Sequence, residues 1–283
     1  MVKNESQKKR ENSLTLQKPL KHTKNCDKIT VSNKEGDSMA KRENMDFMDQ
    51  FRLVAHRGLH DSTQGVPENS LAAFQRAVER GHAIELDVRR TADNRLVVFH
   101  DQTLERMTGV PGEVDRWVLA DLKKLRLQGT EEAIPTVEEM LALVNGQVPL
   151  LIEIKNDRSS DVGKLEPILM KLLKEYTGQF ILESFSPEVL IWLRRNAPQY
   201  IRGQLGSYSK SDKKMDHYSR YLLFNPMTKP DFIAFNIHSI DYKLRVSCKK
   251  HGVPLVGWTI RTQEDLKRAR QLCDGIIYEK VEV

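Results

Sequence analysis

The sequence predicts an α/β fold, a (β/α)8 TIM barrel with a hairpin on its rim and a small insertion between barrel strands two and three. Three observations lead to this prediction. From residue 51 onward, short apolar segments with strand periodicity alternate with amphipathic helical segments, which is the pattern of a parallel sheet. Eight apolar segments remain once one has been assigned to a hairpin. The length of 283 residues, 39% of them hydrophobic, is typical of an α/β barrel that folds as one domain.

The predicted elements follow one another in strand–helix order. The strand segments are 51–56 (FRLVAH), 83–88 (AIELDV), 149–154 (PLLIEI), 180–185 (FILESF), 201–206 (IRGQLG), 231–236 (DFIAFN), 254–259 (PLVGWT) and 274–278 (DGIIY). The helical segments are 70–81, 162–176, 187–196, 240–251 and 262–272. For the first helix, Asn69 is the candidate N-cap, and Gly81 is the candidate residue just beyond the C-terminal cap.

One further apolar segment, RLVVFH at 95–100, follows the strand at 83–88 after only a few residues. A parallel crossover needs a dozen or more residues, so we predict that this segment returns antiparallel as the rim hairpin. Residues 101–148 then form a long excursion with helical patterns near 119–125 and 136–144. We predict a small inserted subdomain over the barrel mouth, with a plain helical connection as the alternative.

The net charge of +6 belongs to the beginning of the chain. Residues 1–42 carry eleven Lys/Arg and five Asp/Glu, and the rest of the chain carries 34 of each kind. A neutral domain behind a basic segment argues against a nucleic-acid-binding surface. Residues 1–46 are rich in Lys, Asn and Ser without an apolar period, so we expect a disordered basic leader there and the barrel domain at 47–283.

Hydropathy and cysteine usage indicate the class of protein. No apolar run approaches the ~20 residues that span a bilayer, and no apolar segment follows the basic start as a secretory signal would require. Cys26, Cys248 and Cys273 show neither CxxC spacing nor a paired framework. We expect a cytoplasmic protein without stable membrane insertion or a nucleic-acid partner. The sequence leaves the oligomeric state open.

Polar residues gather at the C-terminal ends of the predicted strands, where barrels of this kind carry their function. They are His56–Arg57, Glu85 and Asp87, His100–Asp101, Glu153 and Lys155, Ser184–Phe185, and Trp258. Taken singly, each has a structural explanation, such as a hydrogen-bonded histidine, a surface charge or a core aromatic. Their gathering at one end of the barrel favours a functional site, because chance would scatter them over both ends.

Three carboxylates of this set point to a metal site. Residues i and i+2 of a strand share a face, so Glu85 and Asp87 point together, and Glu153 lies on the neighbouring barrel strand. At one barrel mouth the three would repel one another unless a cation lay between them. Oxygen ligands without cysteine favour Ca²⁺ or Mg²⁺ over zinc.

The basic residues of the set suit a phosphodiester. A divalent ion would bind a phosphoryl oxygen, while Arg57 supplies a planar donor fork and Lys155 a point charge for the same phosphate. His56 and His100, which titrate near neutral pH, supply one proton acceptor and one proton donor, as P–O cleavage requires.

In combination these motifs resemble those of the glycerophosphodiester phosphodiesterase family, in its bacterial, single-domain form. The matching segments, in the family's order and spacing across residues 51–283, are HRG at 56–58, PENS at 67–70, ELD at 85–87, VVFHD at 97–101, EIK at 153–155, SF at 184–185 and WTI at 258–260. The resemblance implies that residues 101–148 are the family's characteristic insertion.

The resemblance also implies the roles of individual residues. His56 and His100 would form the acid–base pair, with His56 as the base and His100 as the acid for the leaving alkoxide. The remaining implied roles are metal ligation by Glu85, Asp87 and Glu153, and contact with the phosphate or substrate by Arg57, Lys155, Phe185 and Trp258. Glu68, in the PEN motif, is a further candidate close to the site.

Two segments depart from the family pattern. Arg261 follows WTI where the family usually has Asn, and the chain reads GIIYE at 275–279 where the family usually reads GIITD. Both departures lie at strand ends that border the predicted pocket. They bear on substrate choice more than on the type of reaction.

The expected function is metal-dependent hydrolysis of a small-molecule glycerophosphodiester to sn-glycerol 3-phosphate and an alcohol. One alternative is a lysophospholipase D-like activity on lysolipids, which would need an apolar channel and a membrane-facing surface. Another is a non-catalytic barrel that binds phosphodiesters. Loss of a histidine or of a metal carboxylate would be the signature of such a barrel, and the sequence retains all of them.

Overall fold

The computed structural model describes residues 47–208 and 226–283, and at its centre eight parallel strands form a closed barrel, as the sequence predicts. The strands are β1 (Leu53–Ala55), β2 (Ala83–Arg90), β3 (Leu96–Val98), β4 (Leu150–Ile154), β5 (Phe180–Ser184), β6 (Arg202–Gly206), β7 (Phe232–Asn236), β8 (Leu255–Ile260) and β9 (Gly275–Tyr278). The barrel closes because β1 pairs in parallel with both β2 and β9. The predicted leader at 1–46 lies outside the described residues.

The rim hairpin is confirmed. β3 pairs antiparallel with β2, so that Val97 lies opposite Arg89. A hydrogen bond from Thr91 N to Arg95 O (2.9 Å) closes the turn. Asn94 adopts a left-handed φ of 59° there, a conformation that asparagine tolerates well. The intervening segment is therefore too short for a crossover and folds as a turn, for the reason that the sequence suggested.

Helices surround the barrel in the described part of the chain. The helices of eight or more residues are Leu71–Glu79, Val137–Val144, Glu166–Glu175, Pro187–Asn196, Tyr242–His251 and Gln263–Leu272. Shorter helical segments are 47–50, Ser62–Gln64, Glu105–Thr108, Val114–Arg116, Leu119–Leu122, Leu127–Gly129, Ser159–Asp161 and Ile237–Ser239. The apolar faces of the longer helices pack on the outside of the barrel in one large core. None of the helices within the described ranges is long and apolar enough to cross a membrane.

The predicted N-cap of the first long helix was wrong by one residue. Ser70 is the N-cap, and its Oγ accepts a hydrogen bond from Ala73 N at 3.1 Å. Asn69 has a left-handed φ of 55° and donates from its side chain to Asp87 instead. Gly81, with a φ of 67°, follows the cap residue Arg80 as predicted.

The excursion after β3 contains a small core of its own. The core residues are Val97, Phe99, Leu104, Met107, Val114, Leu122, Leu127 and Ile134. The helix Val137–Val144 belongs instead to the large core around the barrel. It therefore acts as the crossover helix to β4, and the separate core ends before it.

The lower half of the barrel interior is apolar, and we call it the barrel floor. Its residues are Met48, Phe51, Val54, Ala83, Leu151, Ile181, Leu205, Phe232, Ala234, Val256 and Ile277. Phe232 fills space that Gly203 leaves open on the paired strand, where a Cβ atom would lie only 2.1 Å from the phenyl ring. Glycine is required here because two strands share the volume of one large side chain.

Above the floor the same strands turn polar side chains inward, and we call this zone the barrel mouth. Its residues are His56, Glu85, Asp87, Glu153, Glu183, Trp258 and Glu279. Six of them lie two positions beyond a floor residue of the same chain segment, as Glu85 does after Ala83 and Glu153 after Leu151. A strand turns residues i and i+2 to the same face, so floor and mouth form one continuous interior.

Candidate active site

Four carboxylates lie side by side across the barrel mouth. The strand register places Asp87 beside Glu153 and Glu153 beside Glu183, and Glu85 precedes Asp87 by two residues. All four side chains are buried. Ligand oxygens of Glu85, Asp87 and Glu153 lie within 4.8 Å of one another, so these three residues could hold a metal ion.

The electrostatics of this group differ from one carboxylate to the next. Burial, together with the charges of Asp87 and Glu153, raises the pKa of Glu85 well above its usual range. Burial likewise raises the pKa of Glu153 to about 7. Burial also opposes the ionisation of Asp87, but Lys155 and Arg57 hold the pKa of Asp87 well below its usual range. The mouth thus has more carboxylates than Lys155 and Arg57 can keep ionised, and an additional cation would favour ionisation of the others.

Lys155 and Arg57 supply the positive charge of the mouth. Lys155 Nζ lies 2.9 Å from Asp87 Oδ1 and 2.8 Å from Glu153 Oε2. Arg57 Nε lies 3.4 Å from Asp87 Oδ2. The backbone N–H of Arg57 donates to Glu85 Oε2 at 2.9 Å, and Arg57 has a left-handed φ of 56°. A non-glycine residue in this conformation costs about 1–3 kcal/mol, and here it aims a backbone donor at a mouth carboxylate.

Glu68 connects two arginines at the edge of the mouth. It accepts from Arg57 Nη1 at 2.6 Å and from Arg106 Nη1 and Nη2 at 2.9 and 2.7 Å. Arg106 comes from the excursion after β3, so that segment reaches the site. The position of Glu68 is close to the site, as the PEN motif suggested, and its contacts are with arginines.

The two histidines have matching surroundings. His56 Nδ1 lies 2.6 Å from Glu279 Oε2, and His100 Nδ1 lies 2.6 Å from Asp101 Oδ1. In each ring the carboxylate occupies the Nδ1 side, so Nε2 is the nitrogen available to a ligand. Burial lowers the pKa of His56 to about 4 and also lowers the pKa of His100.

A cavity of about 180 Å³ unites the predicted residues. Its lining includes His56, Arg57, Glu85, His100, Glu153, Lys155, Phe185 and Trp258. Asp87 contacts this lining through Arg57 and Lys155. The rings of Phe185 and Trp258 meet edge to face with centroids 5.6 Å apart, and Phe185 is 46% exposed. The structure therefore brings all nine predicted site residues to one place.

Sequence reasoning missed several residues of this site. Glu183 lines the same cavity, and strand alternation with Ile181 was the signal that could have placed it inside the barrel. Glu279 was noted only as a departure from the family pattern, whereas its carboxylate contacts both His56 and His60. The role of Asn69 as a donor to Asp87 at 2.8 Å had no sequence signal, because it depends on an unusual backbone conformation.

Comparisons with known proteins point to one family. A model of the glycerophosphoryl diester phosphodiesterase family matches residues 56–283. The glycerophosphodiester phosphodiesterase of Caldanaerobacter subterraneus subsp. tengcongensis is 35% identical over 246 residues, which are 81% of this chain and 94% of that protein. Glycerophosphodiester phosphodiesterase 1 of Bos taurus is 32% identical over 253 residues, or 77% of this chain and 74% of that protein.

Solved structures share the fold. An Oleispira antarctica phosphodiesterase, determined in complex with its product sn-glycerol-3-phosphate, superposes with a TM-score of 0.69 at 24% identity, covering 82% of this chain and 94% of that one. A glycerophosphodiester phosphodiesterase from Thermotoga maritima gives a TM-score of 0.63 at 23% identity, with 81% and 94% coverage.

Proposed function

The chain belongs to the glycerophosphoryl diester phosphodiesterase family of enzymes, and we propose that it hydrolyses sn-glycerol 3-phosphodiesters to glycerol 3-phosphate and an alcohol in the barrel mouth. One observation carries the proposal: His56 and His100, each with its Nδ1 on a carboxylate, line the same cavity as Glu85 and Glu153. A proton acceptor, a proton donor and a place for positive charge are the three things that cleavage of a phosphodiester needs.

Glu85, Asp87 and Glu153 would hold a divalent cation, Ca²⁺ or Mg²⁺. Their donor set contains only carboxylate oxygens, and those oxygens are within 4.8 Å of one another in a buried position. Such a set suits a hard cation. When bound, the ion supplies positive charge to the phosphoryl oxygens. Lys155 and Arg57 already ion-pair with these carboxylates, so their side chains are fixed beside the place for the phosphate.

The histidines would move the protons. In the proposed reaction His56 Nε2 accepts a proton from the attacking water, while Glu279 retains the hydrogen bond to Nδ1. His100 Nε2 gives a proton to the leaving alkoxide, and Asp101 stabilises the charged ring through Nδ1. The direction of transfer follows the family resemblance, and the geometry supports the pair.

Phe185 and Trp258 would border the substrate on the apolar side of the cavity. Both line the 180 Å³ cavity, and Phe185 also lines a second space of about 370 Å³ together with His100 and Lys155. An exposed aromatic beside the phosphate position suits a glycerol chain or a larger alcohol. The same wall is the one observation that favours lysolipids as alternative substrates.

A substrate panel with controlled metal content tests the proposal. Enzyme stripped of metal would be restored with Ca²⁺ or Mg²⁺ and assayed on glycerophosphocholine, glycerophosphoethanolamine and lysophosphatidylcholine, with Glu153→Gln as the matched control. We expect glycerol 3-phosphate to be released only when an ion is present. Full activity in excess chelator, with no metal found by elemental analysis, would contradict the cation site. Turnover confined to the lysolipid would select the alternative substrate class.

A further inference from the structure

Glu279 stands next to His56 because of the way the barrel closes. β1 and β9 pair in parallel with Val54 beside Ile277 and Ala55 beside Tyr278. Continued by one residue, this register places His56 beside Glu279. A backbone hydrogen bond from His56 N to Tyr278 O at 2.9 Å extends this pairing, and one from Glu279 N to Ile260 O at 3.0 Å joins Glu279 to β8 on its other side. The contact is therefore built into the seam between the first and last strands.

The carboxylate of Glu279 is fully engaged. Its Oε2 lies 2.6 Å from His56 Nδ1 and 3.3 Å from His60 Nε2, and its Oε1 accepts from Arg261 Nε at 2.6 Å. Glu279 is 9% exposed, so these contacts take place away from bulk water. His56, His60 and Glu279 could also surround a metal ion. Arg261 already supplies positive charge beside Glu279, so we assign the cluster to hydrogen bonding.

A carboxylate can only accept a hydrogen bond, which determines the state of the His56 ring. The hydrogen must be on Nδ1, and in the neutral ring the lone pair is then on Nε2. Nε2 lies 3.9 Å from Glu85 Oε2, on the side of the cavity. The hydrogen bond to Glu279 therefore sets both the tautomer and the direction of the ring.

Arg261 in turn limits the positions of Glu279. Its backbone N–H donates to Asp265 Oδ2 at 3.2 Å, next to the N-terminus of the helix Gln263–Leu272, which anchors the residue. The two departures from the family pattern thus contact each other. An asparagine at position 261 would be neutral and shorter and could not form this ion pair with the longer glutamate.

We infer that Glu279 is a positioning residue for His56 and that Arg261 holds Glu279 in place, so that Arg261, Glu279 and His56 act as one chain of contacts. The inference rests on the proposed function, in which His56 is the proton acceptor. To that function the inference adds a hydrogen-bond network that runs from the helix Gln263–Leu272 to the imidazole ring of His56.

Kinetics of matched variants test the network. We expect Glu279→Gln to lower kcat about 10- to 100-fold, the usual loss when a partner that orients a histidine is removed, with KM changed by less than about threefold. Glu279→Asp keeps the charge and should recover part of the loss. Arg261→Asn should cost less than about tenfold, and in the Glu279→Gln background it should cost almost nothing more, because the two act through one contact. Circular dichroism of each variant checks that it is folded.

NMR spectroscopy gives a second test, because a purely structural role of Glu279 would leave the tautomer of His56 unchanged. In protein labelled with ¹⁵N-histidine, the His56 signal is identified by its absence in His56→Ala, and its long-range couplings report the tautomer. We expect the hydrogen on Nδ1 in the parent and a mixture of tautomers in Glu279→Gln. A hydrogen on Nε2 in the parent would overturn the inference.

The outcomes also separate the inference from the proposed function. If His56→Ala is inactive while folded Glu279→Gln retains parental kcat, the positioning role is wrong and the proposed function stands. If folded His56→Ala retains activity, the proposed function fails, whatever Glu279 does. Additive losses in the Arg261→Asn and Glu279→Gln pair would remove Arg261 from the network.

Discussion

The barrel floor and the barrel mouth are made by the same strands, two residues apart, and their buried side chains have opposite effects on folding. In the floor, Val54, Leu151 and Phe232 are almost completely buried among other apolar side chains. In the mouth, Glu85 and Glu153 are buried nearly as deeply but carry ionisable groups. Apolar burial favours folding, whereas a buried carboxylate opposes it unless it is paired.

The difference shows how one barrel separates stability from function. A gap in the floor would leave a cavity, so substitutions there should reduce the free energy of unfolding and leave the chemistry intact. Replacing a mouth carboxylate of raised pKa, such as Glu153, by its amide relieves repulsion that opposes folding, so it should reduce activity with little loss of stability. Substitutions and cation removal can each test whether stability and activity are separate.

The largest expected effect concerns the mouth and its cation. Chelation should lower kcat/KM on glycerophosphodiesters on the order of 10³-fold, because charge stabilisation of the phosphoryl oxygens would be lost. Adding Ca²⁺ or Mg²⁺ should restore activity and raise the melting temperature, since an ion that binds only the folded state stabilises it. Differential scanning fluorimetry with added ion measures the second effect.

Variants of floor and mouth serve as controls for that experiment. Glu153→Gln removes one of the carboxylates within 4.8 Å of one another and should abolish the shift in melting temperature. Phe232→Leu alters only the floor, so this variant should retain the ion-induced shift in melting temperature. An ion-induced shift of equal size in both variants would show that the cation binds elsewhere.

A large effect on stability is expected in the floor. Phe232 is completely buried in the barrel floor. Truncation to alanine should cost about 3–5 kcal/mol of unfolding free energy, from lost transfer energy and the cavity left behind. Urea denaturation measures the loss, and kcat/KM per folded molecule should stay within a few-fold of the parent. A loss of activity that exceeds the loss of folded protein would mean that floor and mouth are coupled.

A smaller effect on stability is expected at Gly203. A Cβ there would overlap the Phe232 ring, so Gly203→Ala should cost about 1–3 kcal/mol through overpacking. Phe232→Leu shortens the neighbour, and the double variant should be more stable than the sum of the two single losses predicts. Strict additivity in urea denaturation would indicate that the strands move apart instead.

The smallest expected effect belongs to the rim of the mouth. Phe185 is 46% exposed and contacts Trp258 by its ring edge. Phe185→Ala should change the unfolding free energy by no more than about 0.5 kcal/mol, as exposed positions usually do. Its KM should rise a few-fold for diesters of bulky alcohols and less for small ones. An equal rise for all alcohols would argue that Phe185 does not contact the leaving group.

Much of the barrel could be predicted because its constraints are local. Strand alternation, the short TADN turn and the polar strand ends were enough to place β2, β3 and the residues Glu85, Asp87 and Glu153. Contacts that depend on closure could not be predicted in this way. His56 and Glu279 are 223 positions apart, and their contact requires the register between the first and last strands.

Tertiary contacts also decided between two equivalent N-cap residues. Asn69 and Ser70 are both good N-cap residues, and sequence preference alone favoured neither decisively. The structure uses Ser70 as the cap because Asn69 turns its side chain to Asp87 in the mouth. The error of one residue therefore fell at a position that serves the site.

The most direct test of the central claim uses a substrate whose leaving group needs no proton. His56→Ala and His100→Ala should each lower kcat/KM on glycerophosphocholine on the order of 10²-fold or more, the usual worth of general acid–base catalysis. On a p-nitrophenyl phosphodiester, His100→Ala should regain most of its activity, because nitrophenolate leaves unaided, while His56→Ala should remain inactive. Rescue of neither variant, with both proteins folded and binding metal, would contradict the two-histidine mechanism and leave the histidines as ligands of the phosphate.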